Sequence, residues 1–195
     1  MPVNCGNSLY RAVVIGASAG GLAAMEQILK RLKPSFCLPV LLVQHISPNV
    51  ESYLASHFAN RSSLKVKEAD DKEPIKRGFL YIAPPNYHMM VEFDGSVALS
   101  IDPPVNFSRP SIDVLFETAA DYYGSELIGI VLTGANSDGA AGLERIKKNG
   151  GLTVVQSVES AEVQTMPQAA IDAVKVDHVV PIDEIGDFLN SICEC

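Results

Sequence analysis

Ala12-Val13-Val14-Ile15-Gly16-Ala17-Ser18-Ala19-Gly20-Gly21 decides the fold. The apolar run Ala12 to Ile15 passes directly into a turn of small residues. From Gly20 to Leu32 the side chains Leu22, Met25, Ile28, Leu29 and Leu32 then recur at helical spacing until Lys33-Pro34 stops them. A short strand with no polar face, followed at once by an amphipathic helix, is the unit of a parallel sheet covered on both faces by crossover helices. Working outward, similar strands are expected at Pro39 to Val43, Leu127 to Leu132, Leu152 to Gln156 and His178 to Pro181, with a helix from Ser111 to Tyr123. Ser47-Pro48 reads as an N-cap with proline at the first helical position, opening a short helix through Phe58. The middle breaks the alternation: Phe79 to Ala83, His88 to Glu92 and Val97 to Ile101 are short β-type runs, with Asp94-Gly95 as a hairpin signal between the last two. The expectation is an α/β fold, an open, doubly wound, mostly parallel sheet of the Rossmann-like three-layer kind, with an appended antiparallel β-hairpin flap. Repeats and linker-like segments are missing, so one domain is expected over residues 1–195.

A chain of 195 residues, 47% hydrophobic and 19% charged, can bury an adequate core without disulfides or a structural metal. Cys5 and Cys37 are isolated and Cys193-Glu194-Cys195 is a terminal C-x-C, so the four cysteines read as reduced thiols rather than a zinc site. The net charge of -8 disfavours nucleic acid as a partner. With no signal-peptide pattern and no apolar run of membrane-spanning length, a cytoplasmic protein without membrane insertion is expected.

Ligand sites of open α/β sheets lie beyond the carboxyl ends of the strands. Past the first strand comes Gly16-Ala17-Ser18-Ala19-Gly20, past the second Gln44-His45, and past Leu132 the loop Thr133-Gly134-Ala135-Asn136-Ser137-Asp138-Gly139. A serine, a histidine and an aspartate therefore share one sheet edge. The first loop fits G-x-S-x-G, which exposes a serine hydroxyl beside a helix N-terminus. It also resembles a dinucleotide-binding turn, but the second strand ends in Gln44-His45 where that site needs an acid for the ribose hydroxyls. His45 beside Ser18 could act as general base, and Asp138 could orient the imidazole. His57, His88 and His178 do not follow buried strands into these loops and read as structural. Ser111 and Asp113 read as a helix N-cap and a first-turn acid. The order Ser, His, Asp differs from that of α/β-hydrolases.

Six ordered blocks carry a resemblance over nearly the whole chain: Val14 to Gly21, Val43 to Ile46, Tyr81 to Pro84, Arg109 to Phe116, Leu132 to Gly134 with Asp138 to Gly142, and Thr165 to Ala170. Through them the sequence resembles the catalytic domain of the bacterial chemotaxis protein-glutamate methylesterases. The resemblance implies a hydrolase with Ser18 as nucleophile, His45 as base and Asp138 as orienting acid. It needs no metal and no cofactor, and acts on glutamate γ-methyl esters of the cytoplasmic helices of methyl-accepting chemotaxis receptors, with glutamine deamidation as a side activity. The resemblance also implies an oxyanion and substrate loop at Ala19, Gly134 and Ala135, with backbone donors around Ala135 and at the start of the helix after Ser18. The chain departs from the family pattern at Ala19, Ala135 and Asn136, where Thr, Met and Gly are usual. Family members commonly carry an N-terminal receiver domain, and the first strand begins too near Met1 to leave room for one, so control would come from a separate partner or a larger parent protein. Two other readings stay open: a retuned or inactive relative serving as a binding module, and a dinucleotide-dependent oxidoreductase.

Overall fold

The computed structural model describes residues 9–45 and 53–193. In chain order its elements are β1 (Ala12–Ala17), α1 (Gly21–Arg31), β2 (Val40–Gln44), α2 (Leu54–Ala59), β3 (Lys65–Glu68), β4 (Phe79–Ile82), β5 (His88–Val91), β6 (Val97–Ser100), α3 (Ile112–Tyr123), β7 (Leu127–Val131), α4 (Ala140–Lys148), β8 (Leu152–Gln156), α5 (Thr165–Ala173), β9 (His178–Val180) and α6 (Ile182–Ile192). Seven strands form one sheet in the order β3-β4-β2-β1-β7-β8-β9, and its pairings are parallel. The chain starts at the centre, winds outward through β2 to the β3 edge, then returns to β7 and winds the other way. The reversal sets the loops after β1 and β7 side by side, and this switch point is where such sheets hold their ligands.

All six residues of β1 are buried, because helices cover both faces. The strand period of two divides them: Val13 and Ile15 join Met25, Ile28 and Leu29 of α1 and Ile185 and Leu189 of α6, while Ala12 and Val14 join Ile112, Leu115 and Phe116 of α3 and Leu143 and Ile146 of α4. Each such aliphatic side chain contributes about 1.5–3 kcal/mol by burial, so these two layers outweigh the exposed ion pairs at the surface.

The expected strands of the βα alternation lie within two residues of those observed. Phe79 to Ala83 is a correction: it does not belong to the flap but pairs in parallel with β2 and β3, Leu80 lying opposite Val40 and Val66. Only β5 and β6 make the antiparallel hairpin. Strand β3 was not anticipated, because Lys65-Val66-Lys67-Glu68 carries charge on both sides of its one apolar residue, as suits the edge position it occupies. The expected helix start at Ser47-Pro48 lies outside the described residues. Cys37 is disulfide-bonded, which corrects the all-thiol reading, whereas Cys193 is buried in the core. An isolated cysteine gives no local sign of pairing, since the fold decides what comes near it. Among the described residues no helix is long and apolar enough to cross a membrane.

Candidate active site

Ser18 follows β1, His45 follows β2 and Asp138 lies in the loop between β7 and α4, so adjacent strands deliver all three. The ladders continue past the strand ends. The His45 N–H donates to Ala17 O (2.9 Å) and the Ser18 N–H to Thr133 O (3.0 Å), which fixes the serine loop to both neighbours. The Gln44 amide adds a clamp, its Nε2 donating to Ser18 O (2.8 Å) and to His45 O (3.0 Å). Its Oε1 is buried without a partner and lies where a Cβ on Gly21 would approach to 2.1 Å, so the helix start beneath Ser18 must be glycine. Thr133 Oγ1 donates to Ala19 O (2.9 Å) and accepts the Val163 N–H (2.9 Å), tying the serine turn to the loop ahead of α5.

His45 Nε2 is 2.9 Å from Asp138 Oδ2. The Asp138 carboxylate is fully buried and sits on the N-terminus of α3, where Oδ2 accepts the Ile112 N–H (2.7 Å) and Oδ1 accepts the Asp113 N–H (3.2 Å) and the Ser111 hydroxyl (2.9 Å). Burial pushes this carboxyl's pKa up, but the His45 bond and the Ile112 and Asp113 amides outweigh it and hold it below the ordinary range. A charged carboxylate can only accept, so His45 Nε2 carries the hydrogen of this bond, and in the neutral imidazole the lone pair is on Nδ1. Ser18 is half-buried, and its Oγ makes no hydrogen bond among the described residues.

Asp113 is the counterpart. Its Oδ1 accepts the N–H groups of Gly139 (2.9 Å) and Gly142 (2.7 Å) at the start of α4, and its Oδ2 accepts from Asn106 Nδ2 (2.8 Å), which also reaches Asp138 Oδ1 (3.3 Å). Burial, reinforced by the Asp138 charge, pushes its pKa up to about 6 against the amides of Gly142 and Gly139. Each aspartate thus caps the helix that does not follow it. Ser111 does occupy the N-cap position of α3, yet its hydroxyl makes no cap bond and turns to Asp138. Sequence reading missed Asn106 and the clamp of Gln44; a lone amide in a loop has no distinguishing pattern.

Within the expected oxyanion and substrate loop, the Gly134 N–H donates to Val163 O (3.1 Å). Glycine at this position serves close approach, as a Cβ there would lie 2.9 Å from Ser18 Cβ and 2.6 Å from Met166 Cε. The N–H groups of Ala19 and Ala135 have no partner among the described residues. Asn136 is outside the left-handed region that would need glycine, and its Oδ1 accepts the Asp138 N–H (3.2 Å), so it steadies the loop. His88 is structural, as expected: buried, it accepts the Ser111 N–H at Nδ1 (3.2 Å) and bonds Pro103 O through Nε2 (3.2 Å). His57 pairs with Glu26 (2.5 Å), and His178 packs on Phe188. A cleft of about 200 Å3 opens beside His45, lined also by Asn86, Phe107, Arg109 and Pro110.

The sequence model of the CheB methylesterases matches residues 13–189. This chain belongs to the CheB methylesterase family. A Leptospira interrogans protein, provisionally named a protein-glutamate methylesterase/protein-glutamine glutaminase, is 51% identical over 179 residues, covering 92% of this chain and 93% of that protein. The protein-glutamate methylesterase/protein-glutamine glutaminase of Clostridium acetobutylicum is 39% identical over 93% of this chain, which spans only 52% of that protein's length. Among solved structures, the crystal structure of the Thermotoga maritima CheB methylesterase catalytic domain superposes with a TM-score of 0.89 at 34% identity, covering 94% of this chain and 98% of that one. Membership in the CheB methylesterase family, together with a β2 that ends at Gln44 and is followed by His45, leaves the dinucleotide reading without support.

Proposed function

We propose that this chain is a protein-glutamate methylesterase of the cytoplasm that hydrolyses glutamate γ-methyl esters on the cytoplasmic helices of chemotaxis receptors, with glutamine deamidation as a side activity. One observation supports the assignment of roles: a His45–Asp138 pair, fixed by the N-terminus of α3, lies in the loops that follow the two strands flanking the one that leads to Ser18.

Ser18 Oγ attacks the ester carbonyl while its proton passes to His45 Nδ1, and Asp138 steadies the resulting imidazolium. The negative charge on the carbonyl oxygen meets the free N–H groups of Ala19 and Ala135, each such donor supplying about 3 kcal/mol in comparable sites. Collapse of the tetrahedral adduct returns the Nδ1 proton to the methoxy oxygen and releases methanol. Water, deprotonated by the same nitrogen, then opens the acyl-enzyme to give glutamate and free serine. With glutamine the leaving group is ammonia. The chain spans about half the length of the Clostridium relative and 93% of the Leptospira one.

Methylated receptor membranes should release methanol with the wild-type chain and not with Ser18→Ala. A wild-type chain that folds yet releases none, and that fails to react with a fluorophosphonate probe, would remove the reading.

A further inference from the structure

The lip of the cleft beside His45 is built in a way that neither packing nor the triad requires. Val105 and Ser108 exchange two backbone hydrogen bonds (3.1 and 2.8 Å), closing a two-residue turn whose central residues, Asn106 and Phe107, both have left-handed backbones (φ 49 and 61). Such turns take asparagine readily at the first position and glycine at the second, so a residue with a Cβ at 107 is held there against its steric preference. Phe107 recovers nothing by burial, since its side chain is entirely exposed (104%). The turn is nevertheless anchored from beneath, because the Asn106 amide bonds both Asp113 and Asp138. An aromatic ring is therefore presented to solvent from a turn tied to the His45 carboxylate partner.

Two residues on, Arg109 lines the same cleft. Its Nη1 donates to two backbone carbonyls, Ile101 O (2.8 Å) and Asp102 O (3.1 Å), which fix the guanidinium without neutralising it. Its Nε is buried without a partner, and it makes no ion pair among the described residues, in a chain of net charge -8. A guanidinium held by neutral acceptors keeps its charge, and its Nη2 remains to donate to a carboxylate.

We propose that Arg109 and Phe107 form a substrate-selecting subsite: Arg109 pairs with a carboxylate on the substrate protein, and Phe107 packs on an apolar side chain beside it, while the ester reaches Ser18. This rests on the methylesterase reading and specifies its substrate further, as an ester-bearing segment flanked by an acidic and an apolar residue.

The test compares synthetic peptides carrying one γ-methyl glutamate, identical except for a flanking glutamate, glutamine or lysine. Wild type should favour the glutamate-flanked peptide over the glutamine-flanked one by about tenfold in kcat/KM, the scale of one charge-assisted contact. Arg109→Gln should bring that ratio close to one, and Arg109→Glu should reverse it in favour of the lysine-flanked peptide. Phe107→Gly, which suits the turn better, should lower kcat/KM on peptides with an apolar neighbour and not lower the melting temperature. Should the Arg109 variants fail to fold, the wild type still decides, because raising salt from 20 to 500 mM should erase its preference for the glutamate-flanked peptide. Equal losses on all peptides in the Arg109 variants, or a wild-type ratio near one that ignores salt, would overturn the subsite while leaving the esterase intact. A wild-type chain that hydrolyses none of the peptides nor a small activated ester would take down the methylesterase reading, and the subsite with it.

Discussion

The N-terminus of α1 and those of α3 and α4 open onto the same sheet edge, and all three carry the partial positive charge of unpaired amides. They are furnished in opposite ways. At α3 and α4 buried carboxylates occupy the amides, Asp138 on Ile112 and Asp113, and Asp113 on Gly139 and Gly142. At α1 the cap is Gly20, with no side-chain cap bond and no acid in the first turn. The open end is the one beside Ser18. Fixed charge is stored where it orients an imidazole, and the helix without a carboxylate cap is the one beside the proposed nucleophile.

The sharpest break in this contrast is between Ser18→Ala and Asp138→Asn. Removing the proposed nucleophile should lower methanol release by on the order of 10⁶-fold, as in comparable triads. Its melting temperature should not move, since the hydroxyl makes no hydrogen bond among the described residues. Activity above a few per cent of wild type would contradict the role of Ser18. Asp138→Asn should lose roughly 10⁴-fold in rate. Unlike the serine variant it should also melt earlier, because the cap of α3 loses its charge, at about 1–2 kcal/mol. A loss of rate with no change in melting would mean that the α3 amides do not depend on this carboxylate.

Titration sharpens the contrast further. Asp113 titrates at about 6 in the folded chain against an ordinary 3.8, so between those values the folded state holds a proton that the unfolded state has released. Its contribution to stability is therefore fully present below about pH 4 and is lost as pH rises through about 6. Asp138 behaves oppositely: its lowered pKa stabilises above the ordinary carboxylate range, and that contribution disappears only as pH falls through the depressed value. In Asp113→Asn the slope near pH 6 should vanish. The stability difference between wild type and variant, from urea melts, should thus grow on going from pH 7.5 to 4.5 by on the order of 1–3 kcal/mol. An unchanged difference would show that burial does not raise this carboxyl.

The smallest effect is expected from closing the open helix. Ala23 is exposed in the first turn of α1. Ala23→Glu should raise the melting temperature by about 1–4 °C through the dipole and slow turnover a few-fold by setting a fixed negative charge near the proposed oxyanion donors. Faster turnover would argue against those donors.

How much of this could be read without coordinates differs between the sheet and the site. Buried parallel strands such as Ala12–Ala17 announce themselves by composition, and loops that follow them inherit a known sheet edge, which is why Ser18, His45 and Asp138 were legible. Phe79–Ile82 has the same composition, but its neighbour in sequence is a hairpin, and only the pairing with Val40 and Val66 reveals its sheet. The carboxylate partners were hidden for a related reason. Asp113 fits a first-turn acid of α3 perfectly well by local rules, whereas its bonds run 26 and 29 residues ahead to Gly139 and Gly142. What requires glycine at 134 was not legible either, since the Ser18 and Met166 side chains that a Cβ there would meet come together only in the fold.

The crossed caps have a consequence for how the site opens. Asp138 cannot leave the α3 amides without releasing His45, and Asp113 cannot leave the α4 amides unless the α3–α4 packing loosens. The two helix ends and the imidazole therefore form one cooperative unit rather than a loop frayed independently of its scaffold. In native-state hydrogen exchange the amides of Ile112, Asp113, Gly139 and Gly142 should open with a common free energy and a common urea dependence, as a single event shared between two segments distant in sequence.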